Sequence, residues 1–208
     1  VPIGNLDPAK AAPLACGGLT AYRAVDHTLP FLAAAPSKGV PNPRALVIGV
    51  GGLGQYGLQF LRIRSEAEIV VVDASPQKRE LALQLGADSA VAPGEVEGTF
   101  TAVVDFVGAE ATVQTARDHV ARQGISVTVG LFGGTIPFGF GVVPHEAHFM
   151  TSVWGSRDQL AELVALAQQH DLHSEVELIG LEQAQSAHDR LHEGKVNGRF
   201  VLVPGATT

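Results

Sequence analysis

The chain has 208 residues, of which 46% are hydrophobic and 17% charged, with a formal net charge of −7. Such a composition supplies a sizeable core and argues against disorder, and an acidic balance with no basic cluster argues against nucleic acid or anionic lipid as partners. One cysteine, Cys16, excludes an intrachain disulfide and suits a reducing cytoplasm, and no apolar run approaches the ~20 residues that span a membrane.

The N-terminus, "VPIGNLDPAK", carries no signal-peptide pattern and no initiator methionine, which points to a fragment or a processed chain. Residues 1–44 hold one predicted helix, "DPAKAAPLACGGLTAYRAV", and then a Pro- and Ala-rich connector, "LPFLAAAPSKGVPNP". From residue 45 short β-branched runs alternate with helical stretches. Predicted strands are "ALVIGV" (45–50), "EIVVVD" (68–73), "DSAVA" (88–92), "TAVVDFV" (101–107), "GISVTVG" (124–130) and "MTSVW" (150–154). "LGQYGLQFLRI", "PQKRELALQLG" and "AEATVQTARDHVA" between them show helical spacing, with Pro76 suited to a first turn and Gly86 to a stop.

After the sixth strand come a helix, "RDQLAELVALAQQH", a strand, "EVELIG", a helix, "LEQAQSAHDRLHEG", and a last strand, "GRFVLVP". Strands as apolar as "IVVV" are buried on both faces, which predicts an α/β fold: a doubly wound, six-stranded parallel sheet. The chain divides into an N-terminal flank (1–44), the sheet (45–156) and a C-terminal flank (157–208). One crossover, "PGEVEGTF", is too short for a covering helix and is expected to cross the sheet as an extended link.

Gly49-x-Gly51-x-x-Gly54, with Gly52 and Leu53 inside it, follows a strand and opens a helix, as a dinucleotide-binding turn requires. Glycines there permit the tight turn, the approach of a pyrophosphate to backbone, and close helix–strand contact, while the helix N-terminus favours phosphate. Asp73 ends the next strand 19 residues after Gly54, placed to accept two ribose hydroxyls and to repel a 2′-phosphate. NAD(H) is therefore expected over NADP(H). The alternative is a merely Gly-rich turn with a surface aspartate.

"VIGVGGLGQYGLQFLR", "VVVDASPQKRELALQLGAD", "VVDFVG" and "GSRDQLAELVALA" resemble the zinc-dependent medium-chain alcohol dehydrogenases, nearest to their bacterial secondary-alcohol type. The resemblance runs from "VPIGNLDPAKAAPLACGGLTAYRAV" to "EGKVNGRFVLVP". It implies a Rossmann sheet flanked by remnants of a second, catalytic domain. The GroES-like part of that domain, which supplies the other zinc ligands, has no counterpart here. Cys16 matches a remaining zinc ligand, although one thiolate cannot hold a catalytic zinc; within this chain it also reads as a small buried apolar residue.

By the same resemblance Thr20 lies near nicotinamide and substrate, and Arg199 reaches the pyrophosphate. Lys78 is either a ribose contact or a solvated helix lysine. Phe106, Val107 and Gly108 are expected to line the cleft, and Val129, Gly130, Ser152, Val153 and Trp154 to approach the nicotinamide. His145 with His148, and His188 with His192, have metal-like spacing but lack a completing ligand set, so they read as solvated or packed.

The expected function is the NAD(H)-binding portion of an enzyme that exchanges hydride with a primary or secondary alcohol, the chain alone being inactive and lacking zinc. An alcohol or ketone substrate, a cytoplasmic location and a homodimer formed through "MTSVW" complete the expectation. Two rivals stand beside it: a standalone NAD(H)-binding module with a redox-sensing or regulatory role, and a degenerate remnant without ligand.

Overall fold

Apolar residues on both faces of each strand decide the architecture. In the computed structural model, which describes residues 1–196 and 198–205, the alternate residues of each central strand enter two different cores. The helices are α1 (Pro8–Ala11), α2 (Gly17–Ala34), α3 (Gly54–Arg64), α4 (Pro76–Gln84), α5 (Glu110–His119), α6 (Arg157–Gln169) and α7 (Ala184–His192). The strands are β1 (Arg44–Ile48), β2 (Glu68–Val72), β3 (Ser89–Val91), β4 (Phe100–Asp105), β5 (Val120–Thr128), β6 (His148–Thr151), β7 (Val176–Gly180) and β8 (Arg199–Val203).

Strands β1 to β6 form one all-parallel sheet in the order β3-β2-β1-β4-β5-β6. Ala45 and Val47 pack with Tyr22, Val25 and Phe60 on one face, and Leu46 and Ile48 pack with Val70, Val103 and Ala116 on the other. The sheet is therefore doubly wound, as its two-sided apolar strands predict. A separate pair, β7 and β8, is also parallel. The chain reverses direction across the sheet between β1 and β4, which leaves a crevice at their carboxyl ends.

Local chemistry fixes the element ends. Pro76 opens α4, Ser75 Oγ accepts the Lys78 N–H at 3.4 Å, and Gly86 stops the helix in the left-handed region at φ 100°. Helix α6 begins with a reciprocal cap: Ser156 Oγ accepts from Gln159 N at 3.1 Å, and Gln159 Oε1 accepts from Ser156 N at 3.0 Å. The link between β3 and β4, residues 92–99, passes beneath β2 and β1 without a helix, and Val96 packs into the second core. Eight extended residues reach about 26 Å, against about 14 Å sideways and about 17 Å back along the strands, so the span is short enough.

The structure corrects three expectations of length. "DPAKAAPLACGGLTAYRAV" is not one helix: a 3-10 turn over Ala12–Ala15 and a non-helical Cys16 (φ −125°, ψ −68°) separate α1 from α2. The first part of the expected connector is helical, since α2 runs through Pro30 to Ala34. Pro30 faces solvent while Leu32, at 3% exposure, continues the buried stripe, so packing outweighs the lost hydrogen bond. The sixth strand is His148–Thr151, and Ser152, Val153 and Trp154 follow it as loop.

Candidate functional site

Parallel strands end at the same edge of a sheet, so the segments that follow them gather there. Gly49–Gly54 follow β1, Asp73 follows β2, Phe106–Gly108 follow β4, Val129 and Gly130 follow β5, and Ser152–Trp154 follow β6.

The glycines of the turn divide between two tasks. Gly49 sits at φ 83°, and a Cβ on it would lie 2.5 Å from Val107 Cγ2. On Gly54 a Cβ would lie 1.8 Å from the Gly49 carbonyl oxygen, so only glycine lets α3 start this close to the end of β1. Gly51 differs from both: nothing stands within 4 Å of its Cβ position. Two glycines serve packing, and the third leaves open space beside half-buried backbone.

The first helical bond of the turn is Gln55 N–H to Gly51 O at 3.2 Å, so the preceding N–H groups stand free of the helix ladder. Asp73 is tied to the same turn: Oδ2 accepts the Val50 N–H at 2.8 Å, and Oδ1 accepts the Ser75 N–H at 2.9 Å. Each carboxylate oxygen keeps a lone pair for another donor. Lys78 lies half-buried in the first turn of α4.

Arg199 comes to the turn from β8. Its Nε would stand 2.8 Å from a Cβ on Gly52, and its Nη2 would stand 2.6 Å from one on Gly17 at the start of α2. The Nε is buried and has no hydrogen-bond partner among the described residues. An unpaired guanidinium N–H is costly without an acceptor, and here it lies directly over a glycine turn. Cys16, adjacent to Gly17, is exposed, which corrects its reading as a small buried apolar residue. Thr20, one turn further along α2, is buried and donates its N–H to Cys16 O at 2.9 Å.

Across the crevice, Gly108 (φ 68°) and Gly130 touch: a Cβ on Gly108 would lie 2.1 Å from Gly130 O, and one on Gly130 would lie 1.9 Å from Val107 C. Phe106 turns its ring against α3, 2.3 Å from a Cβ on Gly57, so it packs on the glycine helix. Ser152 is buried with its hydroxyl unpaired among the described residues, while Val153 and Trp154 are exposed and Trp154 holds φ 52°.

Residue reasoning passed over Asp105, at the end of "VVD", a run that mirrors the "VVVD" ending in Asp73. Asp105 is fully buried; Oδ1 accepts the N–H groups of Val107 (2.8 Å) and Gly108 (2.9 Å), and Oδ2 has no partner among the described residues. Burial pushes its carboxyl above the usual range, against the pull of those two N–H groups. Gln55, Tyr56 and Gln59 of α3, also buried, carry no signal in the sequence that marks them.

The histidine pairs are engaged with rings: His148 lies edge-on to Phe31, His145 stacks on Phe140, and His188 meets His192. No group of three or more His, Cys, Asp or Glu among the described residues is placed to hold a metal ion. A hollow of about 860 Å³ lies at the other end of the sheet, between Leu29, Pro36, Arg64 and Glu66, far from the glycines in the topology. No helix among the described residues is long and apolar enough to cross a membrane.

The family model for zinc-binding dehydrogenases matches residues 52–169. The chain is 36% identical to the NAD-dependent alcohol dehydrogenase of Sulfolobus acidocaldarius, over 95% of this chain and 58% of that protein. It is 32% identical to an alcohol dehydrogenase of Geobacillus stearothermophilus, with the same two coverages, 95% and 58%. The alcohol dehydrogenase structure from Aeropyrum pernix superposes with a TM-score of 0.82 at 33% identity, covering 94% of this chain and 58% of that one. The chain thus spans rather more than half the length of the relatives it matches.

Proposed function

The chain belongs to the zinc-binding dehydrogenase family, and on that premise we propose that it is the NAD(H)-binding portion of an alcohol dehydrogenase. The enzyme would transfer hydride between a primary or secondary alcohol and NAD+. One observation carries the reading. Arg199 holds a buried, unpaired Nε over Gly52, beside the open space at Gly51. An anion bridging that guanidinium and the N–H groups that open α3 would satisfy both.

The residues present fit the nucleotide. When bound, NAD(H) supplies the hydride chemistry. Arg199 and the turn hold the pyrophosphate, and Asp73, already fixed by Val50 and Ser75, offers its free lone pairs to the ribose hydroxyls. Lys78 stands in the adjoining turn of α4 as a second ribose contact. Val107–Gly108, Val129–Gly130 and Ser152–Trp154 form the wall for the nicotinamide half, with Thr20 on the facing helix.

Zinc does not fit in the same way. Cys16 is exposed and offers one thiolate, whereas a catalytic zinc takes three protein ligands. The chain by itself is therefore expected to lack turnover. Residues 1–44 and 157–208 read as pieces of the catalytic domain, and the separate β7–β8 pair supports that division.

Calorimetric titration of the purified chain with NAD+, NADH and NADP+, with zinc assayed on the same sample, tests the proposal. Binding of NAD(H) but not NADP+ supports it, and failure to bind any nucleotide refutes it. Stoichiometric zinc, or oxidation of a secondary alcohol by the metal-supplemented chain, refutes the account of zinc and of inactivity.

A further inference from the structure

Helix α3 buries three polar side chains in succession along one side. Gln55 and Gln59 are 1% and 8% exposed, and Tyr56 is fully buried. A buried amide is costly unless its hydrogen bonds are made, and apolar residues would serve a core-facing helix better. Every one of these groups spends its side chain on a distant segment, residues 173–175.

Gln59 makes a paired contact: Oε1 accepts the His173 N–H at 2.7 Å, and Nε2 donates to the His173 carbonyl at 3.0 Å. Tyr56 shares a 2.5 Å hydrogen bond with Ser174 Oγ, and Gln55 Oε1 accepts the Glu175 N–H at 3.4 Å. Among the described residues, no other hydrogen bonds join residues 173–205 to the six-stranded half.

The segment leads straight to Arg199. The Glu175 carbonyl accepts the Arg199 N–H at 2.9 Å, and Val176 opens the β7–β8 pairing opposite Arg199. Gly198 lets the two segments meet: at φ 84° it brings its Cβ position 2.1 Å from Glu175 O, where no other residue fits. The path closes on itself. It runs from the turn into α3, through Gln55, Tyr56 and Gln59 to residues 173–175, and through Glu175 to Arg199, which returns over Gly52.

We propose that Gln59, with Gln55 and Tyr56, positions Arg199 over the glycine turn and thereby sets the affinity for the pyrophosphate of the nucleotide. The three residues touch no ligand; they act through Glu175 and Arg199. The inference rests on the nucleotide reading of the turn. It adds that the helix bearing the turn also holds the arginine that closes it, so one rigid element carries both halves of the phosphate site.

Comparison of Gln59→Met with the unmodified chain tests this by calorimetry with two probes, ADP-ribose, which carries the pyrophosphate, and adenosine, which lacks it. Tyr56→Phe, which removes only the bond to Ser174, serves as the milder variant should Gln59→Met fold poorly. Gln59→Met should weaken ADP-ribose about tenfold and adenosine less than about twofold, the scale of one charge-assisted phosphate contact. In an Arg199→Met background, Gln59→Met should bring no further loss. Equal losses for both probes, or a loss that adds fully to that of Arg199→Met, overturns the proposal.

The Arg199 Nε–H resonance of the ligand-free chain, read by 15N NMR, separates the two readings. If the unmodified chain binds neither probe, the nucleotide assignment falls. A resonance that moves in Gln59→Met or Tyr56→Phe still supports the positioning claim, and one that stays fixed in both refutes it.

Discussion

Gly51 and Gly54 stand three residues apart in one turn, yet alanine at each should fail in opposite ways. Alanine at Gly54 would drive its Cβ into the Gly49 carbonyl, a backbone atom that cannot step aside, so Gly54→Ala should cost several kcal/mol, about 3 or more. Gly51 has free space at its Cβ position and lies outside the left-handed region, so Gly51→Ala should leave stability within about 0.5 kcal/mol. It should still weaken NADH at least about tenfold, because the methyl occupies the room kept for the ligand. Thermal melts and NADH titrations of both variants check the pair.

Asp105 gives the pH counterpart. Its carboxyl titrates higher in the folded chain than in the unfolded one, because it is buried. Stability from its protonated form is therefore complete below the unfolded value and is lost as pH rises through the folded one. Asp105→Asn keeps the acceptor for Val107 and Gly108 and removes the charge. Its melting temperature relative to the unmodified chain should rise as pH climbs from the ordinary aspartate value of 3.8 and level off above the folded one. Asp105→Ala, which strands both N–H groups, should cost about 2 kcal/mol at low pH and less as pH rises. A flat difference for Asp105→Asn across that range would show that the carboxyl does not titrate as its burial implies.

Elements were legible in the sequence in proportion to how local their causes are. The six strands and the helices between them announce themselves through period and through caps such as Pro76 and Gly86, and the sheet follows from strands that are apolar on both faces. Where proline and buried packing disagree, the pattern misleads: "LPFLAAAP" reads as connector, but Leu32 is buried and α2 continues past Pro30. The same conflict yields a prediction. Pro30 lies exposed inside α2 and withholds an N–H, so Pro30→Ala should stabilise the chain by about 1 kcal/mol after the entropy gained by the unfolded state. Chemical denaturation measures it, and a loss of stability would mean that Pro30 relieves a strain elsewhere in α2. The site divides along similar lines. The glycines and Asp73 follow from spacing; Arg199 came only through resemblance, since nothing in "GRFVLVP" says that it folds back over Gly52. Gln55, Tyr56 and Gln59 were invisible because their partners lie more than a hundred residues away.

At the scale of the molecule, the six-stranded sheet ends on β3 at one side and on β6 at the other. β3 is only three residues long, a length that discourages pairing with another chain. β6 is the candidate seam for the proposed homodimer, with Val153 and Trp154 exposed just beyond it. Its hydrogen bonding says which residue to alter. The Ser152 N–H bonds to Thr128 O at 3.0 Å, and Thr128 is in register with Thr151, so the Thr151 N–H points away from β5 toward the outer edge. Thr151→Pro therefore deletes an outward donor and spares the β5–β6 ladder, a substitution that edge strands tolerate. Light scattering should return twice the 21.7 kDa chain mass for the unmodified protein and a single mass for Thr151→Pro, with melting temperature and NADH affinity little changed at high protein concentration. A monomer in both would remove β6 as a seam. A dimer in both would move the interface elsewhere, to the exposed Phe138 and Phe140 of the loop between β5 and β6.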